Sequence, residues 1–203
     1  MALSVTAWWA AAEHDGPLFV AAPGLGWDAG AAAADVAIDS GAAVLLLADA
    51  TAPTADARAV GALLTGLDAS RAIPTSLAPT PWMLQCAAVR DRIPTLRGAA
   101  HDPMHLATTD ATLAHATALI VTAVRRRVPV VVSGPIPHIA AACAQRMEHG
   151  TVEWVQSAFD DEDPVAAAAR TRLDARPWIS STVPLTDAQR IEMVQTILAQ
   201  RYE

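Results

Sequence analysis

Residues 128–132 read Val-Pro-Val-Val-Val, an unbroken apolar run rich in β-branched side chains and set between two alanine-rich helical patterns. Branched side chains are stiff at χ1 and suit a pleated surface. A run without polar alternation must be buried on both faces, which is what a parallel sheet demands of its inner strands. The helical pattern before it ends in Arg125, Arg126 and Arg127, cations at the negative end of the helix dipole. After it come Ser133 and Gly134, then Pro135-Ile136-Pro137 and a second alanine-rich pattern from His138. Helix, buried strand, turn and helix in this order make the repeating unit of a parallel α/β sheet. In such sheets ligands gather outside the carboxyl ends of the strands.

The unit recurs along the chain. Residues 17–22 and 42–48 are apolar runs, each followed by a turn and a helical pattern. Helices are expected over 28–40, closed by Gly41 as a left-handed cap, over 54–64 ended by Gly66, and over 82–92. A proline-punctuated loop covers 74–81 and an irregular stretch 94–102. Asp102-Pro103 starts a helix that breaks near 108–110 and resumes to Arg126. Further helices are expected over 138–147, from Pro164 to Leu173, and from Thr186, which can form a capping box with Gln189. A short strand is expected at 151–155, and a short helix is compatible with 1–14, around Trp8 and Trp9. The expected architecture is one three-layer α/β domain over 1–203, with a mostly parallel sheet and helices on both faces. Residues 17–22, 44–48 and 128–132 are its central strands.

The chain has 203 residues, 53% of them hydrophobic and 17% charged, enough for one well-buried α/β domain. Much of the apolar content is alanine, which packs closely and buries little area per residue. A partner surface is therefore expected, and the Ile191, Val194 and Leu198 stripe is a candidate for it. The balance of 14 basic against 21 acidic residues gives −7, and every basic residue is arginine. Nothing in that charge pattern supports nucleic-acid binding. Cys86 and Cys143 fall in apolar helical patterns and read as reduced core thiols of a cytoplasmic protein. No basic-then-apolar leader opens the chain, and no apolar run reaches membrane-spanning length.

Several constellations could carry chemistry. Gly24, Gly26 and Gly30 follow a strand and open a helix, where backbone amides can approach a phosphate. Their spacing is one residue off the dinucleotide fingerprint, so a tight turn is the simpler reading. Trp27 beside it can stack a ring or simply pack. His101 and His105 stand four apart and can face one zinc ion, but Asp102-Pro103 already explains the region as a helix cap and no third ligand is evident. No metal and no cofactor are expected. No nucleophile elbow is present, and neither cysteine has a neighbouring base.

Taken together these segments resemble the nicotinate-nucleotide:dimethylbenzimidazole phosphoribosyltransferase family, which activates the lower-ligand base of cobamides. The matching motifs are the alanine-rich helix 114–124, Arg126-Arg127, strand 128–132, Ser133-Gly134 and the helix from Ile139. Upstream the likeness runs through Leu45-Leu46-Leu47, 63–66, Trp82, Val89-Arg90-Asp91 and Asp102-Pro103. It covers most of residues 26–200 and corresponds to the later part of a normally longer chain, so the family's N-terminal portion is expected to be missing. The resemblance implies that family's large-domain α/β fold, and on that scaffold Gly24, Gly26, Asp49, Ser133 and Gly134 are expected to line one strand-end pocket, with Trp27, Trp82 and Gln85 as further ligand-binding candidates.

The chain also departs from the family's pattern. The glycine-rich nucleotide loop after the Leu-Leu-Leu strand reads Ala48-Asp49-Ala50-Thr51-Ala52-Pro53-Thr54, with Asp49 in place of its glutamate. A lysine expected after Trp82 is Gln85, and the aspartate of Asp-Gly is Ser133. The Arg-Leu-Gly-Glu-Gly motif, source of a phosphate arginine and of the base, aligns with Pro184-Leu185-Thr186-Asp187-Ala188. Asp187 and Asp49 are thus the catalytic candidates that the resemblance implies. The expected function is a divergent phosphoribosyltransferase-like protein with a degenerate site. The alternatives are a non-catalytic module for a small aromatic base or nucleotide, or a structural partner of a longer family member. A homodimer is expected if the chain acts alone.

Overall fold

The computed structural model describes residues 18–21, 24–49, 51–160, 162–180 and 185–199, and within them not the side chains of Leu18, Phe19, Asp187, Leu198 and Ala199. Five parallel strands, β1 (Leu18–Ala21), β2 (Val44–Ala48), β3 (Val130–Ser133), β4 (Val155–Phe159) and β5 (Pro177–Ile179), pair in sequence order. Leu45, Leu46, Leu47 and Ala48 sit opposite Val130, Val131, Val132 and Ser133. All residues of β2 and β3 are buried, as their unbroken apolar runs require. β1 is at the edge among the described residues, so of the three expected central strands two are central.

A parallel sheet that advances always in one direction, through right-handed crossovers, must place its connecting helices on one face. The helices α1 (Trp27–Asp39), α2 (Ala55–Thr65), α5 (Ala111–Arg125), α6 (Pro135–Met147) and α8 (Pro164–Arg172) accordingly share one core with Leu45, Leu47, Val130 and Val132. The other face, with Val44, Leu46 and Val131, is covered among the described residues by α9 (Asp187–Ala199) through Val194 and Ile191. Of the stripe offered for a partner surface, Val194 is therefore spent against the sheet and Ile191 is half-buried; Leu198 is outside the described side chains. Burying each such aliphatic side chain contributes about 1.5–3 kcal/mol.

The alanine-rich helices use their small side chains for close approach. A Cβ at Gly30 of α1 would lie 2.1 Å from the His115 carbonyl oxygen of α5, and one at Gly61 of α2 would lie 2.3 Å from Val165 Cγ1 of α8. Helix starts are capped by side chains: Thr54 accepts from the Ala57 amide at 3.1 Å and Asp110 from the Leu113 amide at 2.8 Å. Thr186 and Gln189 close their capping box at the start of α9, with backbone-to-side-chain bonds of 2.9 and 3.3 Å.

Three local expectations are corrected. α3 (Pro79–Gly98) begins in the proline-punctuated loop and continues through Pro94 into the stretch expected to be irregular. Pro94 and Arg90 are both exposed, so water can take the carbonyl that Pro94 leaves without a donor. α4 (Pro103–Thr108) follows it. Residues 151–154 form a single helical turn, α7 (Thr151–Trp154), and the strand lies just beyond, at Val155–Phe159. Pairing with β3 selects that run, whose Ser157 and Ala158 carry no strong strand signal. β5 has no counterpart among the sequence expectations; it starts at Pro177, which an edge strand tolerates because its missing N–H breaks no ladder.

Candidate active site

All strands being parallel, their carboxyl ends share one edge, where Gly24, Asp49, Ser133 and Phe159 emerge. The expected ligand residues divide there. Gly24 and Asp49 meet, together with His115 and Ile136, around a void of about 10 Å³, room for about one water molecule at most. A Cβ on Gly24 would fall 2.4 Å from His115 Cε1, so the bare glycine is what lets the imidazole approach there. Asp49 is buried, and its Oδ1 accepts from the Thr51 amide at 2.9 Å and from the Thr51 hydroxyl. Gly26 caps α1 at φ 87, a left-handed backbone that favours glycine, and its amide donates to the Ala111 carbonyl at 2.8 Å. Trp27 and Trp82 are half-buried against the main core, and Gln85 is exposed on α3. Asp187 opens α9, and its side chain lies outside the described residues, as does Pro184.

Ser133 and Gly134 lead into α6. Gly134 is its N-cap at φ 97, again a glycine conformation. A helix N-terminus can bind an anion only through amides that are present and unspent. Pro135 and Pro137 carry no N–H, and the His138 amide turns back to the Gly134 carbonyl at 3.3 Å. Ile136 supplies the one remaining amide hydrogen of that turn. At α8, Asp163 already occupies the amides of Val165 and Ala166 at 2.9 and 3.3 Å. At the starts of α6 and α8 two prolines and an aspartate thus remove or occupy most of the first-turn amides.

The His138 ring is fully buried behind the edge, with Nδ1 2.7 Å from the Gly134 carbonyl and Nε2 2.9 Å from Ser157 Oγ. A carbonyl only accepts, so Nδ1 carries a proton. The ring ties the β3–α6 turn to the end of β4.

Room for a ligand lies beside this turn. A cavity of about 730 Å³ opens between the 70–76 connection, the 159–164 connection and the start of α9. Ile73, Pro135, Phe159 and Leu185 provide its apolar wall, and Arg58, Arg71, Arg190, Asp160, Glu162 and Asp163 its charged one. Arg58 is 3% exposed, pairs with Asp163 at 2.9 Å and donates to the Ala72 carbonyl at 2.7 Å, which fastens the 70–76 connection to α8. Asp160 pairs with Arg170. Arg190 donates through Nη1 to Ser133 Oγ at 3.0 Å and through Nε to the Leu185 carbonyl at 3.3 Å. Its guanidinium carbon stands 5.2 Å from the centre of the Phe159 ring. Arg71 and Glu162 make no ion pair among the described residues.

Reading the sequence missed this wall. A signal was present for two of its members: Arg58 and Arg190 each occupy the fourth position of a helix, near the positive end of the dipole. Cations are unfavourable there unless tertiary partners hold them.

Among the described residues no group of three His, Cys, Asp or Glu side chains is placed to hold a metal. His101 and His105 are exposed, and Asp102 Oδ1 accepts from the His105 amide at 3.0 Å, the helix cap its position suggested. Burial pushes the Cys143 thiol up to about 12 and raises that of Cys86. No helix among the described residues is long and apolar enough to cross a membrane.

Comparison with known proteins matches a family model described as DBI_PRT, phosphoribosyltransferase, to residues 26–194. The chain is 31% identical over 163 residues to the nicotinate-nucleotide–dimethylbenzimidazole phosphoribosyltransferase of Streptomyces coelicolor, a match covering 76% of this chain and 45% of that one. The protein of that name from Mycobacterium avium is 32% identical over 154 residues, covering 73% and 44%. The chain therefore spans less than half the length of these relatives. Among solved structures, CobT from Thermus thermophilus superposes with a TM-score of 0.73 at 21% identity, over 83% of this chain and 52% of that one.

Proposed function

This chain belongs to the DBI_PRT phosphoribosyltransferase family, and from that premise we propose that it is a divergent phosphoribosyltransferase-like protein of cobamide lower-ligand activation. Its strand-end cavity takes a small aromatic base or nucleotide and transfers phosphoribosyl groups slowly or not at all. The observation that carries this reading is a cavity of about 730 Å³ standing beside two helix starts, α6 and α8, whose first-turn amides are mostly absent or engaged.

Phosphoribosyl transfer needs a held phosphate and a carboxylate at the attacking ring nitrogen. Asp49 faces a void of about 10 Å³, too small for a base, and Thr51 occupies one of its oxygens. Asp187 is the remaining candidate base from the family motif, at the start of the helix that lends Arg190 to the cavity. The ligand ring lies against Ile73, Pro135 and Phe159.

Calorimetric titration with dimethylbenzimidazole and with nicotinate mononucleotide, followed by a product assay with both, tests the reading. Binding with weak or absent turnover is expected, and Asp187→Ala should change little. Robust product formation that collapses in Asp187→Ala would overturn the degenerate reading and leave an active transferase.

A further inference from the structure

We infer that a second cleft, between the end of α2 and the later half of α3, binds a zwitterionic amino acid with an apolar side chain. This cleft encloses about 420 Å³ and shares no lining residue with the strand-end cavity. Its volume is in the range of small-molecule sites. Leu63 and Leu67 from one side and Ile93 from the other form its floor. All three are half-buried and pack against the main core, so the floor is fixed apolar surface. An aliphatic or aromatic side chain laid on it would displace water from both surfaces.

The rim carries opposite charges on its two sides. Asp68 stands just beyond α2, and Arg90 and Arg97 stand on α3, two turns apart on one face. Arg90 is paired with its neighbour Asp91 at 2.9 Å, an exposed contact of little strength. Asp68 and Arg97 line the same cleft, yet neither makes an ion pair among the described residues. Their charged atoms are thus further apart than a direct pair allows, and a molecule bearing both charges can bridge them. Backbone reinforces the negative side. The amides of Gly66 and Leu67 both turn back to the Ala62 carbonyl, closing α2 with Gly66 at φ 75 and leaving the helix's negative pole at the cleft. A guanidinium suits a carboxylate, and an aspartate beside that pole suits an ammonium. An apolar α-amino acid meets the floor and both sides of the rim.

Calorimetric titration with L-leucine, 4-methylpentanoate and 3-methylbutylamine separates the two charges from the alkyl chain that the three compounds share. Leucine is expected to bind tighter than either analogue by roughly tenfold, the lower end for hydrogen bonds to charged groups. Asp68→Asn should bring leucine down to the affinity of 4-methylpentanoate, and Arg97→Gln should bring it towards that of the amine. Asp68 and Arg97 are both exposed, so these variants keep the fold, which circular dichroism checks. Leucine binding no tighter than its analogues would overturn the assignment. So would a preference for leucine that survives in both variants, or no binding by any of the three at millimolar concentration. None of these outcomes bears on the strand-end cavity, whose reading stands or falls by its own titrations.

Discussion

Ser133, the last residue of β3, accepts a hydrogen bond of 3.0 Å from Arg190 Nη1, across 57 positions of sequence. The bond joins the centre of the sheet to the helix that covers its second face. Ser133→Ala should fold, lose about 1–2 kcal/mol of stability through the lost charged hydrogen bond, and loosen Arg190. Urea unfolding together with nucleotide titration checks both effects; unchanged stability and affinity would mean the bond does no orienting.

Gly30 and Gly24 meet different parts of the same residue. At Gly30 the obstacle to a Cβ is the His115 backbone carbonyl at 2.1 Å, and at Gly24 it is the imidazole at 2.4 Å. Backbone cannot step aside without parting α1 from α5, so Gly30→Ala should cost at least about 3 kcal/mol, the upper end of overpacking penalties. Gly24→Ala should cost less and be partly rescued by His115→Ala, which a thermal-melt comparison of the single and double variants would reveal. The reverse ranking would contradict the packing described.

The Arg58–Asp163 pair is buried and double-purpose, since Asp163 also caps α8. Removing one partner leaves a buried charge, so Arg58→Met should destabilise by about 3–5 kcal/mol. Asp163→Asn keeps the cap acceptor but leaves the buried Arg58 guanidinium without a counter-charge, so it should destabilise by a similar amount. In the double variant Arg58→Met with Asp163→Asn, stability should return in part. A double-mutant cycle that shows no coupling would mean the two groups act independently.

Cys143 is sealed in the core, and burial raises its thiol from an ordinary 9.0 to about 12. Below pH 9 it is protonated in folded and unfolded states alike and contributes no pH dependence. Between 9 and about 12 the unfolded thiol ionises first, so this group lowers stability as pH rises through that window. Alkylation at pH 8 should reach Cys143 only in denaturant, and modification at equal rates in native and denatured protein would contradict its burial.

Val194 is fully buried against the sheet. Val194→Asp should therefore unfold α9 or the whole domain, which circular dichroism would register. A folded variant whose only change is a lower native mass would instead restore the expected self-association through this stripe.

Strands β2 and β3 were legible because their burial on both faces leaves a local trace, an apolar run without alternation at 44–48 and 130–132. Helix starts at Asp102 and Thr186 were legible because caps are chosen by neighbours three residues away. The cavity left no such trace. Its wall comes from residues 70–76, 159–164 and 185–190, each of which reads locally as a polar connection or helix start. They meet only when β4 pairs with β3 and α9 docks. Gly24 shows a related limit: a glycine after a strand reads locally as a tight turn or an anion site, and only the fold reveals the α5 imidazole packed against it.

The one-directional sheet leaves its second face to α9 among the described residues, and that helix also carries Arg190. A helix docked through few side chains opens at a lower free energy than the strands beneath it. Each time α9 lifts, the cavity loses Arg190 while the sheet and the opposite helical layer persist. Amide hydrogens of α9 would then exchange through a local opening, well before those of β2 and β3. A ligand in that cavity would draw its affinity partly from closing that opening, and its occupancy would be written in the exchange rates of a helix whose other work is to keep one side of the sheet dry.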